Sequence, residues 1–260
     1  MSSTTVIGTS DSITVLGLRN CNISLRCGKT RGRTVLRGRV TTLFAGFPNL
    51  MRLDLSGNTI AGCLRELLNA VARPLEYLGV AGCNLLDADL DGIATSRHAA
   101  SLRELDVTRV CGYLDHERDT VRSAALLRCV YRLTYIMVLR LAGNHLTNSS
   151  IDGLCVTLNG NWLTLKSLIV VDNPISPQSV LRLVLAAVRC PILQHVAVPY
   201  AGFLFRGAAE PGYLNILFEL KQIVRDAGRS PKMCVELQIM SSDTSITDSI
   251  FTHHPDVLAY

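Results

Sequence analysis

Ile136-Met137-Val138-Leu139-Arg140-Leu141-Ala142-Gly143-Asn144-His145-Leu146 carries apolar residues at positions one, four, six and eleven of an eleven-residue phrase, and an asparagine at position nine. Leu50-Met51-Arg52-Leu53-Asp54-Leu55-Ser56-Gly57-Asn58-Thr59-Ile60 repeats it. The alternation around Leu53 and Leu55 is that of a short strand with one buried face, which leaves Arg52, Asp54 and Ser56 on the other. The turn that follows has backbone groups that neither a sheet nor a helix satisfies, and a side-chain amide at position nine can serve them.

Working outward, seven copies align on the first apolar residue of the central pair, at Leu16, Leu53, Leu78, Leu105, Leu139, Leu168 and Val196, with steps of 37, 25, 27, 34, 29 and 28 residues. A phrase of this form, recurring at this period, is the leucine-rich-repeat signature. Steps this long leave room for a helix behind each strand. The expected fold is therefore α/β: a leucine-rich-repeat solenoid of the ribonuclease-inhibitor-like horseshoe kind, with parallel strands on the concave face and helices outside. Apolar stripes at helical spacing support this at Leu64, Leu67, Leu68 and Val71, at Ile151, Leu154, Cys155 and Leu158, and at Val180, Leu183, Val184 and Ala187. Ser176-Pro177 reads as an N-cap followed by proline in the first helical position. Position nine is Cys21, Asn58, Cys83, Asn144 or Asn173 in five copies, and all five are expected to satisfy turn backbone. The fourth and seventh copies are irregular. A helix is expected over 121–130 after a link containing Asp115-His116-Glu117, another around Leu217, Leu220 and Val224, and a last strand at Val235, Leu237 and Ile239. The domain plan is a disordered 1–12, a solenoid over 13–240 of about seven repeats with a carboxyl-terminal cap, and a polar tail over 241–260.

The chain has 260 residues, 48% hydrophobic and 18% charged, the balance of a folded protein. No run is long and apolar enough for a membrane span, and the first twelve residues do not form a secretory signal. Nine cysteines occur without a C-x-x-C pair, so a reducing compartment, cytosol or nucleus, is expected. Seven basic residues and no acidic one lie between Ser12 and Arg39; with a net charge of +5, the remainder sums to 5 − 7 = −2. No aromatic residue accompanies those arginines for base stacking, so nucleic acid ranks behind an acidic protein partner. Gly28-Lys29-Thr30 lacks the glycine a phosphate loop needs five residues earlier, where Ile23 stands. The six histidines show no metal-ligand spacing. Neither metal nor cofactor is expected, and an enzyme is not.

The expectation is a protein-interaction scaffold that binds a partner on its concave face. The candidate contacts are Arg52, Asp54, Tyr77, Glu104, Asp106 and Arg140, an aromatic ring flanked by charges of both signs. Glu104 and Asp106 are two residues apart on one strand face, and such a pair on a concave sheet meets a basic partner more readily than it performs catalysis. Reversing charge at Asp54 and Asp106 together is expected to abolish capture and leave stability nearly unchanged.

Three further stretches carry a resemblance: Val35-Leu-Arg-Gly-Arg-Val40; Arg73-Pro-Leu-Glu-Tyr-Leu-Gly-Val-Ala-Gly-Cys-Asn-Leu85; and Leu193-Gln-His-Val-Ala-Val-Pro-Tyr200 followed by Leu220-Lys-Gln-Ile-Val224 and Gly228-Arg229. Between Leu36 and Met240 the chain resembles the PRAME family and the related leucine-rich-repeat-containing protein 14 group. That resemblance implies a non-enzymatic horseshoe that restrains transcription or signalling by binding a partner, or alternatively a substrate-recognition subunit of a cullin-2 type ubiquitin ligase. The family's adaptor box has a leucine four residues before a cysteine, and none of the nine cysteines here has one. The resemblance therefore implies the repeat half, with cullin-2 adaptors docking through a segment missing here.

Overall fold

The computed structural model describes residues 10–25, 42–111, 116–199, 212–226 and 233–238. Every copy of the phrase forms a strand at its apolar alternation: β1 (Val15–Gly17), β2 (Arg52–Asp54), β3 (Tyr77–Gly79), β4 (Glu104–Asp106), β5 (Val138–Arg140), β6 (Ser167–Ile169) and β7 (His195–Pro199). β8 (Cys234–Gln238) follows as the last strand. The eight make one sheet in chain order, each neighbour parallel to the next. The pairing keeps the phrase in register, so Leu16, Leu53, Leu78, Leu105, Leu139, Leu168, Val196 and Val235 form a single row. Parallel strands require a crossover on each connection, and the six connections from β2 to β8 each run through a described helix, the repeated crossover that builds a solenoid.

The helices are α1 (Leu64–Ala70), α2 (Asp87–Thr95), α3 (His116–Val130), α4 (Asn148–Gly160), α5 (Pro177–Arg189) and α6 (Gly212–Asp226). The core lies between them and the sheet. Leu50, Leu53, Leu55 and Ile60 from the phrase, and Leu64, Leu68 and Val71 from the following helix, are all buried in it. Each such side chain contributes roughly 1.5–3 kcal/mol on leaving water. The Ser176 hydroxyl accepts from the Ser179 N–H with Pro177 in the first turn, as the sequence implies. Two readings shift, and one helix has no clear sequence signal. α3 starts at His116, so His116-Glu117 opens a helix and is no surface link. Cys155 is only half-buried on its stripe. α2 is not legible from apolar spacing, because only Leu90 and Ile93 supply its inner face amid Asp87, Asp89 and Asp91.

That last aspartate series holds a structural key. Asp89 is buried and accepts from the N–H groups of Leu86, Gly62 and Leu64. It thus serves the first turn of its own helix and the start of α1 one repeat earlier, donors that a helix leaves unpaired.

Two rows organise the turns. Position eight is left-handed in every described copy: Asn20, Gly57, Gly82, Arg109, Gly143 and Asp172 all have φ between 52° and 72°. Position nine then turns inward. The Asn58 amide donates to the carbonyls of Leu18 and Leu55 and accepts from the Ile23 N–H. Asn144 donates to Val107 and Ala142 and accepts from Val110 and Cys111. Asn173 donates to Leu141, Val170 and Val171 and accepts from Asn144 and Leu146. Each amide closes its own turn and ties it to the preceding repeat. The Cys83 thiol does part of this, donating to the Leu55 carbonyl at 3.2 Å. Burial, offset in part by the N–H groups of Asn58 and Gly57, raises its pKa, so it is held as a thiol. Cys21 plays this part only within its own turn: it is exposed, and its thiol donates to the nearby Arg19 carbonyl at 3.6 Å. No described strand lies beyond β1 for it to reach, and Asn58 already closes that turn from the next repeat.

Of the domain plan, 1–9 and 239–260 lie outside the described residues, as do Gly28-Lys29-Thr30, Ile239 and His253-His254. Ser10 and Asp11 are hydrogen-bonded to Gly46 and Asn49, ahead of the boundary drawn at Ile13.

Candidate functional site

The concave face follows from register. Position three of successive strands is Arg52, Tyr77 and Glu104, which are Cα partners in turn. Position five is Asp54, Gly79 and Asp106, again in turn. Five of the six predicted contact residues therefore share one small area spanning β2, β3 and β4.

Their side chains are linked. The Arg52 guanidinium lies over the Tyr77 ring, 4.7 Å from its centroid, and reaches across it to donate to Glu104 at 3.0 Å. That hydrogen bond is the main reason the Arg52 pKa is raised. The Tyr77 hydroxyl points the other way and donates to Asp54 at 3.4 Å. Burial first, and then the charges of Asp54 and Asp106, raise the Tyr77 pKa, keeping the hydroxyl a donor. Burial alone would push the Asp54 carboxyl up. Hydrogen bonds from Ser56, the Arg19 charge and the Tyr77 hydroxyl outweigh it and hold the carboxyl below its ordinary value.

Gly79 makes this convergence possible. A Cβ there would meet the Tyr77 hydroxyl at 2.6 Å and an Asp54 oxygen at 2.7 Å. Arg19 completes the group. It leaves the turn after β1 and sets its guanidinium 3.3 Å from Asp54 and 3.7 Å from Asp106. Sequence reading assigned Arg19 only to a basic stretch. Its place at position seven of the first copy, just past the concave row, is the signal that could have found it.

Arg140 is a Cα partner of Asp106, yet makes no ion pair among the described residues. The candidate residues are less open than a simple exposed row. Ser56 is buried, and only 8% of Asp106 is exposed. Both aspartates also hold backbone: Asp54 accepts from the Ser56 N–H and Asp106 from the Thr108 N–H. Charge reversal at this pair would also take the acceptor from two turn N–H groups, so a cost in stability is expected alongside any loss of capture.

Elsewhere on the face, Ser167, His195 and Glu236 form a hydrogen-bonded row, with contacts of 2.9 Å and 3.2 Å. Hydroxyl, imidazole and carboxylate in sequence is the order of a nucleophile, base and orienting acid. The backbone N–H groups of Ser167, His195 and Cys234 are committed to carbonyls of neighbouring segments and cannot converge on an oxyanion. The row acts as a tie across β6, β7 and β8. Among the described residues, no three His, Cys, Asp or Glu side chains are grouped to hold a metal. Among the described residues, no helix is long and apolar enough to cross a membrane.

An in-register parallel sheet, helices outside and a ladder of turn amides define a leucine-rich-repeat solenoid. The chain is similar to leucine-rich repeat-containing protein 14 of Xenopus laevis, 33% identical over 153 residues that make up 58% of this chain and 28% of that protein. The Mus musculus protein of the same name is 29% identical over 173 residues, 66% of this chain and 34% of that protein. The resemblance to that group, read from the Pro-Leu-Glu copy and the Val-Pro-Tyr ending, is borne out. The chain spans about a third or less of the length of these relatives. No family model matches it. Among solved structures, the tropomodulin C-terminal domain of Caenorhabditis elegans has a TM-score of 0.43 and 13% identity over 60% of this chain and 85% of that one.

Proposed function

We propose that the chain is a protein-interaction scaffold that binds a partner protein on its concave face. The observation that carries this is the single connected group around Tyr77, in which an aromatic ring, a stacked guanidinium and three carboxylates are fixed on three adjacent strands. Side chains already held in one geometry lose little freedom on binding, and rigid aromatic and arginine residues dominate such contacts. A site-specific photo-crosslinker at Val138, on the concave face beside Glu104 in register, tests it in cells. It should trap a discrete partner that the same group at Val156, 73% exposed on α4, does not trap. Equal or absent trapping at both positions would refute the reading.

The second reading, a substrate-recognition subunit of a cullin-2 type ubiquitin ligase, rests on the family resemblance. It predicts that a cullin and its adaptors co-purify with a form of the protein carrying the docking segment. We place the activity in the cytosol or nucleus. Nine cysteines without a C-x-x-C pair favour a reducing compartment.

A further inference from the structure

We propose that the Asp54–Asp106 pair, spaced across Gly79, is a slot for an arginine side chain of the partner, and that Arg19 occupies it in cis until the partner arrives. This rests on the concave-face reading above and specifies the chemistry that face selects.

The charges on this part of the face do not divide evenly. Arg52 is committed to Glu104, in a close hydrogen bond stacked on Tyr77. Asp54 and Asp106 are left to share one guanidinium, that of Arg19. The two carboxylates are well sheltered, with side chains 21% and 11% exposed, whereas the Arg19 side chain is 55% exposed. Its contacts, at 3.3 Å and 3.7 Å, are single and loose. The slot is fixed and its occupant is not. Asp54 is held by the Ser56 N–H and the Tyr77 hydroxyl, and Asp106 by the Thr108 N–H. Gly79 leaves the floor between them without a side chain.

Two carboxylates flanking one position in a sheltered setting favour a planar, multiply donating cation over an ammonium. A partner arginine arriving from the open side could donate to both oxygens at hydrogen-bond distance, while Arg19 swings out to water without leaving a buried charge unpaired. Arg140, beside Asp106 in register and without an ion pair among the described residues, sets the far limit of the slot and disfavours a second cation there. The occupant is therefore a segment with one inserted arginine, and a polybasic tract fits poorly.

The probe is an acetylated, amidated seven-residue glycine-serine peptide with one central arginine, compared with its uncharged citrulline twin and its lysine twin. Binding to the isotope-labelled full chain is followed by NMR, including the Arg19 side-chain Nε–Hε signal. The arginine peptide should bind, shift that signal and outcompete the other two. Arg19→Ala should tighten its binding about three- to fivefold, because an exposed ion pair of ordinary strength no longer competes. Asp54→Asn with Asp106→Asn keeps the oxygens that accept the turn N–H groups, so it folds, and it should abolish binding in both backgrounds. Equal binding of the citrulline peptide, unchanged or weaker binding to Arg19→Ala, or binding that survives the double asparagine change would overturn the proposal. If the Val138 crosslinker traps a partner while the arginine peptide fails, the slot is wrong and the concave-face reading stands. If the crosslinker traps nothing, that reading fails by itself.

Discussion

Replacing Asn144 by alanine should be among the costliest single changes in the chain, although it touches no apolar contact. Asn144 is fully buried, and its amide makes close bonds to the Val110 N–H at 2.9 Å and the Val107 carbonyl at 2.7 Å, with longer ones to Cys111 and Ala142. Alanine leaves at least the first two groups buried and unpaired, and each costs about 1–3 kcal/mol. The small void adds to this, for a total of roughly 4 kcal/mol, or on the order of 10 °C in Tm. Asn144→Cys should recover part of the loss, since a thiol can donate to the Val107 carbonyl as Cys83 does to Leu55. Cys21→Ala, at the same phrase position but exposed, should cost less than about 0.5 kcal/mol. Equilibrium urea unfolding followed by circular dichroism ranks the three. If Asn144→Ala costs under 1 kcal/mol, or if Cys21→Ala matches it, the amide ladder does not hold the repeats together.

The buried His98 accepts the Leu75 N–H at Nδ1 and pairs through Nε2 with the Leu68 carbonyl, and burial lowers its pKa below the ordinary 6.5. Neutral His98 is thus the folded form: its contribution is complete above pH 6.5 and is lost as pH falls below that value. Urea midpoints measured downward from pH 7 should therefore drop faster for the native chain than for His98→Gln. Asp89→Ala strips three N–H groups at the starts of α1 and α2 of their acceptor and should cost about 2–4 kcal/mol, read in the same assay. Arg109 sits at φ 52° and pairs with Asp172 at 2.7 Å. Arg109→Gly trades relief of about 1 kcal/mol of backbone strain against an exposed ion pair of similar size and should be near neutral, whereas the β-branched Arg109→Val should be clearly destabilising.

Strands, register and core were legible because burial on one face imposes a period that no other requirement disturbs. Leu53, Leu78 and Leu105 share one phrase position and lie in one row. α2 escaped because its inner face needs only Leu90 and Ile93, and its anchoring residue is a buried aspartate, which sequence patterns count as exposed. The face around Tyr77 was legible as a set of positions, not as a network. Pairs such as Arg52 with Glu104 join residues two repeats apart, and they meet only because the intervening side chain lies flat or is missing. Cys21 shows the limit of reasoning by phrase position: identical places in the repeat are not equivalent when one is buried, as Cys83 is, and the other is exposed.

Position nine of the fourth copy is Val110, which cannot bond the turn before it. The seam between the third and fourth repeats therefore lacks the directed tie supplied elsewhere by Asn58, Asn144 and Asn173. The bridges from Arg52 to Glu104 and from Arg19 to Asp106 cross that seam on the concave side. The seam keeps its backbone ties, from the Val80 N–H to Asp106 and from the Gly82 N–H to Thr108, and adds these ion pairs on its inner surface, where salt or a competing charge can loosen them. Ionic strength therefore reaches this seam from the concave side, whereas the seams tied by Asn58, Asn144 and Asn173 rest on amides buried away from salt.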